Sequence, residues 1–245
     1  LLVSILLVNW CIVAPVGLLL FRKSSPSLFS GSSGFDHAPV TKAAIAVVAL
    51  STVWASVSGA SASLSLHWWN FGLPALAWGM LTYQLHFRNG WVALVGCLML
   101  YHFRQFERMW GASKFGAFML LTWGICSLMG LALLVAGRDG FVSEIATGPY
   151  GVLFAFLVQF HNEVPPLQRF EVHGVPLTDK ALIYVLAVHL ALSSVPGSVF
   201  AGLIGLVAGW LYSKEDVGLR GWNLPPAVRG WCRTVVLPLV EPGAE

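Results

Sequence analysis

Long stretches without Asp, Glu, Lys or Arg dominate the chain and set its predicted elements. They cover residues 1–21, 43–87, 89–103, 115–137, 145–162 and 181–213. A helix that crosses a bilayer needs about 20 mostly apolar residues, with a range of about 17–25. Residues 43–87 exceed one crossing and are interrupted by Ser58-Gly59 and by Trp68-Trp69. Residues 181–213 are divided by the turn signal Ser193-Ser194-Val195-Pro196-Gly197. The pattern predicts an all-α polytopic membrane bundle, with six helices after residue 38 and an extra hydrophobic helix at the N-terminus. The run at 89–103 is short, and the flanking Arg88 and Arg104 are expected to reach toward the two interfaces.

Composition supports the same class. The chain is 57% hydrophobic and 10% charged, with a mean hydropathy of +0.75, where a soluble domain carries about 25% charged residues. A soluble core of this size cannot hide so much apolar side chain, so lipid is the solvent for most of it. The net charge is +3, and the Lys and Arg residues are dispersed between apolar runs without forming a stripe, which argues against nucleic acid as a partner.

The basic residues alternate from loop to loop. Arg22, Lys23 and Lys42 precede the first of the six helices, and Arg104, Arg108 and Lys114 lie between the second and third. Arg169 and Lys180 lie between the fourth and fifth, and Lys214, Arg220, Arg229 and Arg233 follow the sixth. The other loops hold mainly Arg88 and Arg138, the latter offset by Asp139 and Glu144. The positive-inside rule then puts both ends of the six-helix domain in the cytosol.

Four segments result: a hydrophobic segment at 1–21, a Ser- and Gly-rich linker at 22–38, the membrane domain at 39–213 and a cytosolic tail at 214–245. Residues 1–21 have Arg22-Lys23 after them and no basic region before them, which favours an anchor or extra span over a cleaved signal peptide. Thr41 suits the start of the next helix. From His67-Trp68-Trp69 through Trp78, Tyr83, His86 and Trp91 the chain is aromatic and, until Arg88, uncharged. Such a segment is expected to lie part-inserted at the membrane–water boundary.

Candidate chemistry is sparse. Cys11, Cys97 and Cys126 sit in apolar runs, Cys232 lies near the end, and no Cys-x-x-Cys occurs, so neither a disulfide framework nor a zinc site is expected. There is no glycine-rich phosphate loop and no metal-ligand spacing, so no cofactor or metal is expected. Ser143, Ser193, Ser194 and Ser198 have no histidine at useful spacing. His161 with Glu163 reads as a solvated loop pair, and His189 as a neutral histidine bonded between helices. Gly205-x-x-x-Gly209, with Ala201 and Gly202 nearby, permits close helix approach, read as packing inside the bundle. Glu107, between Arg104 and Arg108 and four residues before Gly111, reads as a cap or pairing group for its own turn. A transporter or channel would want paired half-helices or several charges inside the spans, and neither is present.

Three stretches in order carry a resemblance. The most specific is Tyr101-His102-Phe103-Arg104-Gln105-Phe106-Glu107-Arg108-Met109-Trp110-Gly111-Ala112-Ser113-Lys114-Phe115. The others are Ala38-Pro39-Val40-Thr41-Lys42 and Gly174-Val175-Pro176-Leu177-Thr178-Asp179-Lys180-Ala181-Leu182-Ile183-Tyr184. Together, over roughly residues 38–213, they resemble a pseudoprotease branch of the rhomboid superfamily, related to the derlins. That branch includes ubiquitin-associated-domain-containing protein 2 and the rhomboid-like subunit of the fungal Dsc ubiquitin ligase.

The resemblance implies a rhomboid-like six-helix core whose large aromatic loop, after the first helix, lies sideways in the outer leaflet. Rhomboid proteases open one helix with Gly-x-Ser-Gly, and here Gly148-Pro149-Tyr150-Gly151 puts Tyr150 at the serine position. Their catalytic histidine lies on the helix that corresponds to Gly205–Gly209, and Gly202 stands where it is expected. Val92 to Phe103 lacks the His-x-x-x-Asn that helps form the oxyanion hole. Trp78 is followed by Gly79 where the proteases carry Trp-Arg. Acyl transfer needs an activated nucleophile, a base within reach and oxyanion donors, so the resemblance implies a protein that binds and does not cut. Gly148 and Gly151 are then expected to pack against Gly205 and Gly209.

The implied setting is the endoplasmic reticulum or Golgi membrane, and the implied partners are the lipid bilayer, membrane ubiquitin-ligase subunits and membrane-protein clients. Ubiquitin would bind through a ubiquitin-associated domain after the last span, which is expected to be absent or truncated within 214–245. The rival expectation is an active intramembrane serine protease with an unrecognised nucleophile.

Overall fold

The computed structural model describes residues 38–59, 73–137, 145–165, 169–172, 175–178, 180–214 and 218–221. The expected N-terminal segment, its linker up to residue 37, the tryptophan pair at 68–69 and the tail beyond 221 lie outside the described residues.

The first helix, α1 (Pro39–Ser58), starts at a proline and stops at Gly59, whose φ of 66° is the left-handed conformation that ends helices. Thr41 lies inside its first turn and does not cap it locally, because no side-chain cap bond is made there. Within the aromatic segment the chain forms α2 (Leu73–Thr82) and a turn at 83–85. The end of that segment is latched onto α1: Ser51 donates to the Leu85 carbonyl, and Thr52 Oγ1 accepts from Phe87 N–H at 3.1 Å.

Helix α3 (Gly90–Trp110) runs 21 residues and α4 (Ala112–Ala136) runs 25. Helix α3 thus continues past Phe103, where the uncharged run ends. A charge ends an apolar run without ending a helix, since arginine propagates helix nearly as well as leucine. Beyond Arg104 the bundle still buries Phe106 and Glu107. Between α3 and α4 stands Gly111 alone, at φ 85°, a conformation that other residues rarely adopt.

Helix α5 (Tyr150–Glu163) starts five residues after the apolar run does, because Gly148 at φ 134° and Pro149 hold the approach out of helical geometry. A short antiparallel ribbon follows, β1 (Arg169–Val172) with β2 (Val175–Thr178), Arg169 opposite Thr178 and Val172 opposite Val175. No strand was expected there, since two four-residue segments inside a loop give no readable alternation. Helices α6 (Ala181–Ala191) and α7 (Gly197–Ser213) meet at the expected turn, and a single 3-10 turn at Leu219–Gly221 ends the described chain.

By length and composition α1 and α4 are long and apolar enough to cross a membrane, and α6 and α7 are shorter apolar helices. The outer surface is apolar: on α1, Leu50 is 70% and Val57 84% exposed, and Val53 and Trp54 are exposed with them. Exposure of that extent marks a surface covered by something other than water.

Inside, α5 is the central element. Its residues 150–156 are all buried, and it lies against α3, α4, α6 and α7. Phe156 anchors a ring cluster at one end of the bundle, with centroids 4.6 Å from Phe118, 4.9 Å from Phe115 and 5.5 Å from Phe103. Aromatic pairs at such separations contribute about 0.5–1.5 kcal/mol beyond the area they bury.

Candidate functional site

The site begins where the chain enters α5. Gly148 donates its N–H to the Tyr83 carbonyl at 2.7 Å, and a Cβ built on it would fall 2.5 Å from the Phe87 ring. Only glycine fits both that φ and that approach. Tyr150 follows as the first helical residue, 2% exposed, its ring edge-on to Phe87 at 5.3 Å.

The Tyr150 hydroxyl lies 2.7 Å from Ser193 Oγ in the turn between α6 and α7. Ser193 donates its proton to the Leu190 carbonyl at 2.7 Å. A serine hydroxyl carries one proton, so Tyr150 is the donor to Ser193. The Tyr150 side chain is thus a strut that ties the start of α5 to the α6–α7 turn.

Opposite it, α7 lies almost in backbone contact with α5. A Cβ on Gly205 would fall 2.4 Å from the Gly151 carbonyl oxygen and 2.8 Å from its Cα. One on Gly209 would fall 2.7 Å from the Ala155 carbonyl oxygen. Gly151 is also closed on its other side, where an added Cβ would lie 2.6 Å from Cys126 Sγ on α4. Three helices therefore stack through Cys126, Gly151 and Gly205. Gly202 faces the Phe154 ring, 3.3 Å from a built Cβ, so a larger side chain there has to displace that ring. Gly148 takes no part in this contact and packs on Phe87.

A polar group lies beside this stack. Gln84 is buried and donates to the Trp123 carbonyl at 3.0 Å and to Ser127 Oγ at 2.8 Å, while Ser127 donates to the Met80 carbonyl at 3.2 Å. Burial raises the pKa of the neighbouring Tyr83 phenol, which lies in the turn after α2, above its ordinary value of 10 and keeps it neutral. Among the described residues no group of three or more His, Cys, Asp or Glu could hold a metal ion.

Residues of the three motif stretches close helix ends elsewhere in the bundle. Glu107, 1% exposed on α3, accepts from the backbone N–H groups of Val40 and Thr41, each at 2.8 Å, and from the Thr41 hydroxyl at 2.8 Å. Its carboxylate caps the start of α1 from 66 residues away, a reach that the reading as a cap or pairing group for its own turn does not include. Carboxylates are favoured there because a helix start presents unpaired N–H groups and the positive end of its dipole.

Lys180 is the counterpart. Its Nζ donates to the Phe160 and His161 carbonyls at 3.3 and 3.2 Å, so it closes the end of α5. Trp110 Nε1 donates to Glu163 Oε2 at 2.8 Å, joining the ends of α3 and α5. Phe103, Phe106 and Phe115 are wholly buried in the ring cluster. Arg108 and Lys114 are half-buried, and Trp78 is exposed on α2. Sequence reasoning missed Lys180 and the reach of Glu107. A charged residue next to an apolar run was the available signal, but its partner lies on another helix.

Residues 38–216 match a family described as eukaryotic integral membrane protein (DUF1751). The chain is 35% identical over 195 residues to rhomboid-like protein 18 of Arabidopsis thaliana, covering 80% of this chain and 68% of that protein. It is 24% identical over 192 residues to DSC E3 ubiquitin ligase complex subunit 2 of Schizosaccharomyces pombe, covering 76% of this chain and 51% of that one. It is also 32% identical over 125 residues to human ubiquitin-associated domain-containing protein 2, covering 48% of this chain and 36% of the relative. The chain thus spans about two thirds of the plant relative, about half of the fungal one and about a third of the human one. No solved structure matches.

Proposed function

We propose that this chain, which belongs to the eukaryotic integral membrane protein family DUF1751, is a non-catalytic rhomboid-like subunit of a membrane ubiquitin-ligase assembly. In this role it holds membrane-protein clients and partner subunits for degradation in the endoplasmic reticulum or Golgi membrane.

The observation that carries this reading is the chemistry of the turn at Gly148–Gly151. The hydroxyl there donates to Ser193, and the facing helix carries Gly202 and Gly205 packed on Phe154 and Gly151. A hydroxyl becomes a nucleophile when a base takes its proton, and here the proton is held by another hydroxyl. What remains is the close α5–α7 packing, which supports a scaffold and a binding role. The names of the fungal and human relatives supply the ubiquitin connection.

Short helices such as α6 and α7, with 11 and 17 residues, extend about 16 and 25 Å at 1.5 Å per residue. A hydrocarbon core is about 30 Å thick. The bilayer beside them thins, which eases helices with polar residues toward the protein.

The direct test is affinity purification of the full-length protein from its own membranes in mild detergent. A membrane-embedded ubiquitin ligase should co-purify in stoichiometric amount, and membrane-protein half-lives should lengthen when the protein is deleted. Purification free of any ligase, with unchanged half-lives, overturns the assignment.

Tyr150→Ser alone is expected to leave cleavage of a model transmembrane substrate, and labelling by a fluorophosphonate, at background. Even with Gly202→His added, only traces are expected, because the new side chain meets Phe154. Robust cleavage by the unmodified chain would restore the protease reading.

The charge pattern also predicts that residues 104–114 and the chain after Lys214 face the cytosol, with 60–88 and 137–144 lumenal. Glycosylation acceptors placed near Asp139 should be modified, and those placed after Arg220 should not. The reverse result excludes a cytosolic ubiquitin-linked tail.

A further inference from the structure

The last turns of α3 carry two hydrogen-bond donors that find no acceptor among the described residues. Arg104 Nη1 and Gln105 Nε2 are shielded from solvent, and neither has a hydrogen-bond partner among the described residues. The Arg104 guanidinium is held in place, 3.8 Å from the centroid of the Tyr101 ring one turn earlier. Arg108 stands one turn later. At about 100° per residue, Arg104, Arg108, Tyr101 and Gln105 fall in that order across about 100° of the helix surface. Glu107, the acidic residue of this stretch, faces α1 and is occupied by Val40 and Thr41.

Below this patch the same side of α3 is apolar and open, with Leu94 55% and Leu98 46% exposed. Leu94 precedes Arg104 by ten residues, or about 15 Å along the axis. That is also about half the thickness of a hydrocarbon core. A lipid whose acyl chain lies along Leu94 and Leu98 therefore brings its headgroup to the level of Arg104 and Arg108.

We propose that this end of α3 binds the phosphate of an anionic phospholipid. The site offers donors and positive charge and asks for acceptors. A phosphate supplies several acceptor oxygens and negative charge, and pairs with the planar guanidinium in two-point geometry. A neutral ester carbonyl supplies only isolated acceptors. Basic residues at the membrane surface also gather anionic lipid from the surrounding leaflet. The assignment stands whether or not the protein serves a ubiquitin ligase, because it needs only a chain embedded in lipid.

Native mass spectrometry of the full-length protein, equilibrated with mixed micelles of phosphatidylinositol and phosphatidylcholine, tests it. The wild type is expected to retain phosphatidylinositol in preference to phosphatidylcholine. Arg104→Gln should lower that preference about fivefold, the factor one basic residue contributes beside an anionic surface. Gln105→Leu keeps the charge and the helix and should lower it by a smaller factor, which preserves the test if Arg104→Gln fails to fold. Equal preference in the wild type and the folded variants overturns the site. Displacement of the phospholipid by excess inorganic phosphate also overturns it, since the ligand would then be a soluble anion and not a lipid.

Discussion

Gly205→Leu is expected to separate α5 from α7 and to abolish the folded bundle or leave it severely weakened. The first added atom already lies 2.4 Å from the Gly151 carbonyl oxygen and 2.9 Å from Phe154 Cβ. Ordinary overpacking costs about 1–3 kcal/mol because flexible side chains yield. Here the obstacle is main chain, so the helices themselves must move, and the cost lies at or above the top of that range. Gly205→Ala should show the same effect in milder form, and Gly209→Leu should match Gly205→Leu, since its obstacle is the Ala155 backbone. Gly124→Ala is the control. It is helical with nothing within 4 Å of a built Cβ, so exchange for a better helix former should be neutral or stabilising by up to about 1 kcal/mol. Thermal unfolding in detergent, followed by size-exclusion chromatography, separates these outcomes. Normal stability of Gly205→Leu would mean that this face looks outward to lipid.

Glu107→Ala is the second variant with a large expected effect. It removes one side chain and leaves three donors at the start of α1, two of them backbone N–H groups, without their acceptor. Hydrogen bonds to a charged group contribute about 1.5–3 kcal/mol each, and a buried donor left unpaired costs about 1–3 kcal/mol. With water entering the gap the net loss should be about 3–5 kcal/mol, enough to unfold a marginal domain. Glu107→Gln keeps the shape and one acceptor oxygen, but turns its amide N–H toward donors, so an intermediate loss is expected. Thr41→Val should cost about 1.5–3 kcal/mol, since it removes one of the three bonds to the carboxylate. The measurement is again the unfolding midpoint, together with limited proteolysis near residue 40. A midpoint for Glu107→Ala equal to that of the wild type would show that the α1 start does not depend on this carboxylate.

These two residues mark how far the sequence could be read. The glycine pair was legible, since small residues at i and i+4 permit close helix contact wherever they occur. The helix opposite them followed only from a resemblance, and its contact residue is Gly151, not Gly148. Glu107 was legible as a charged residue beside an apolar run, and its use was not. The sequence reading gave it to its own turn, whereas its partners lie 66 and 67 residues earlier. Arg104, at the edge of an uncharged run, lies well inside α3, because a charge ends such a run without ending the helix.

The sequence alone determined the class, the order of the helices and most of their positions, because lipid imposes a local rule. Every apolar run long enough must become a helix, since its backbone polar groups have no other partner in hydrocarbon. The resemblance carried by those runs implies that Tyr150 and Gly202 stand where rhomboid proteases carry serine and histidine. Only the tertiary structure decided which ends meet. It set Glu107 on α1, Lys180 on the end of α5, and the Tyr150 hydroxyl on Ser193. Those contacts join residues distant in sequence, and a hydrogen bond of 2.8 Å is fixed by how rigid helices stack. No periodicity along one segment records that stacking.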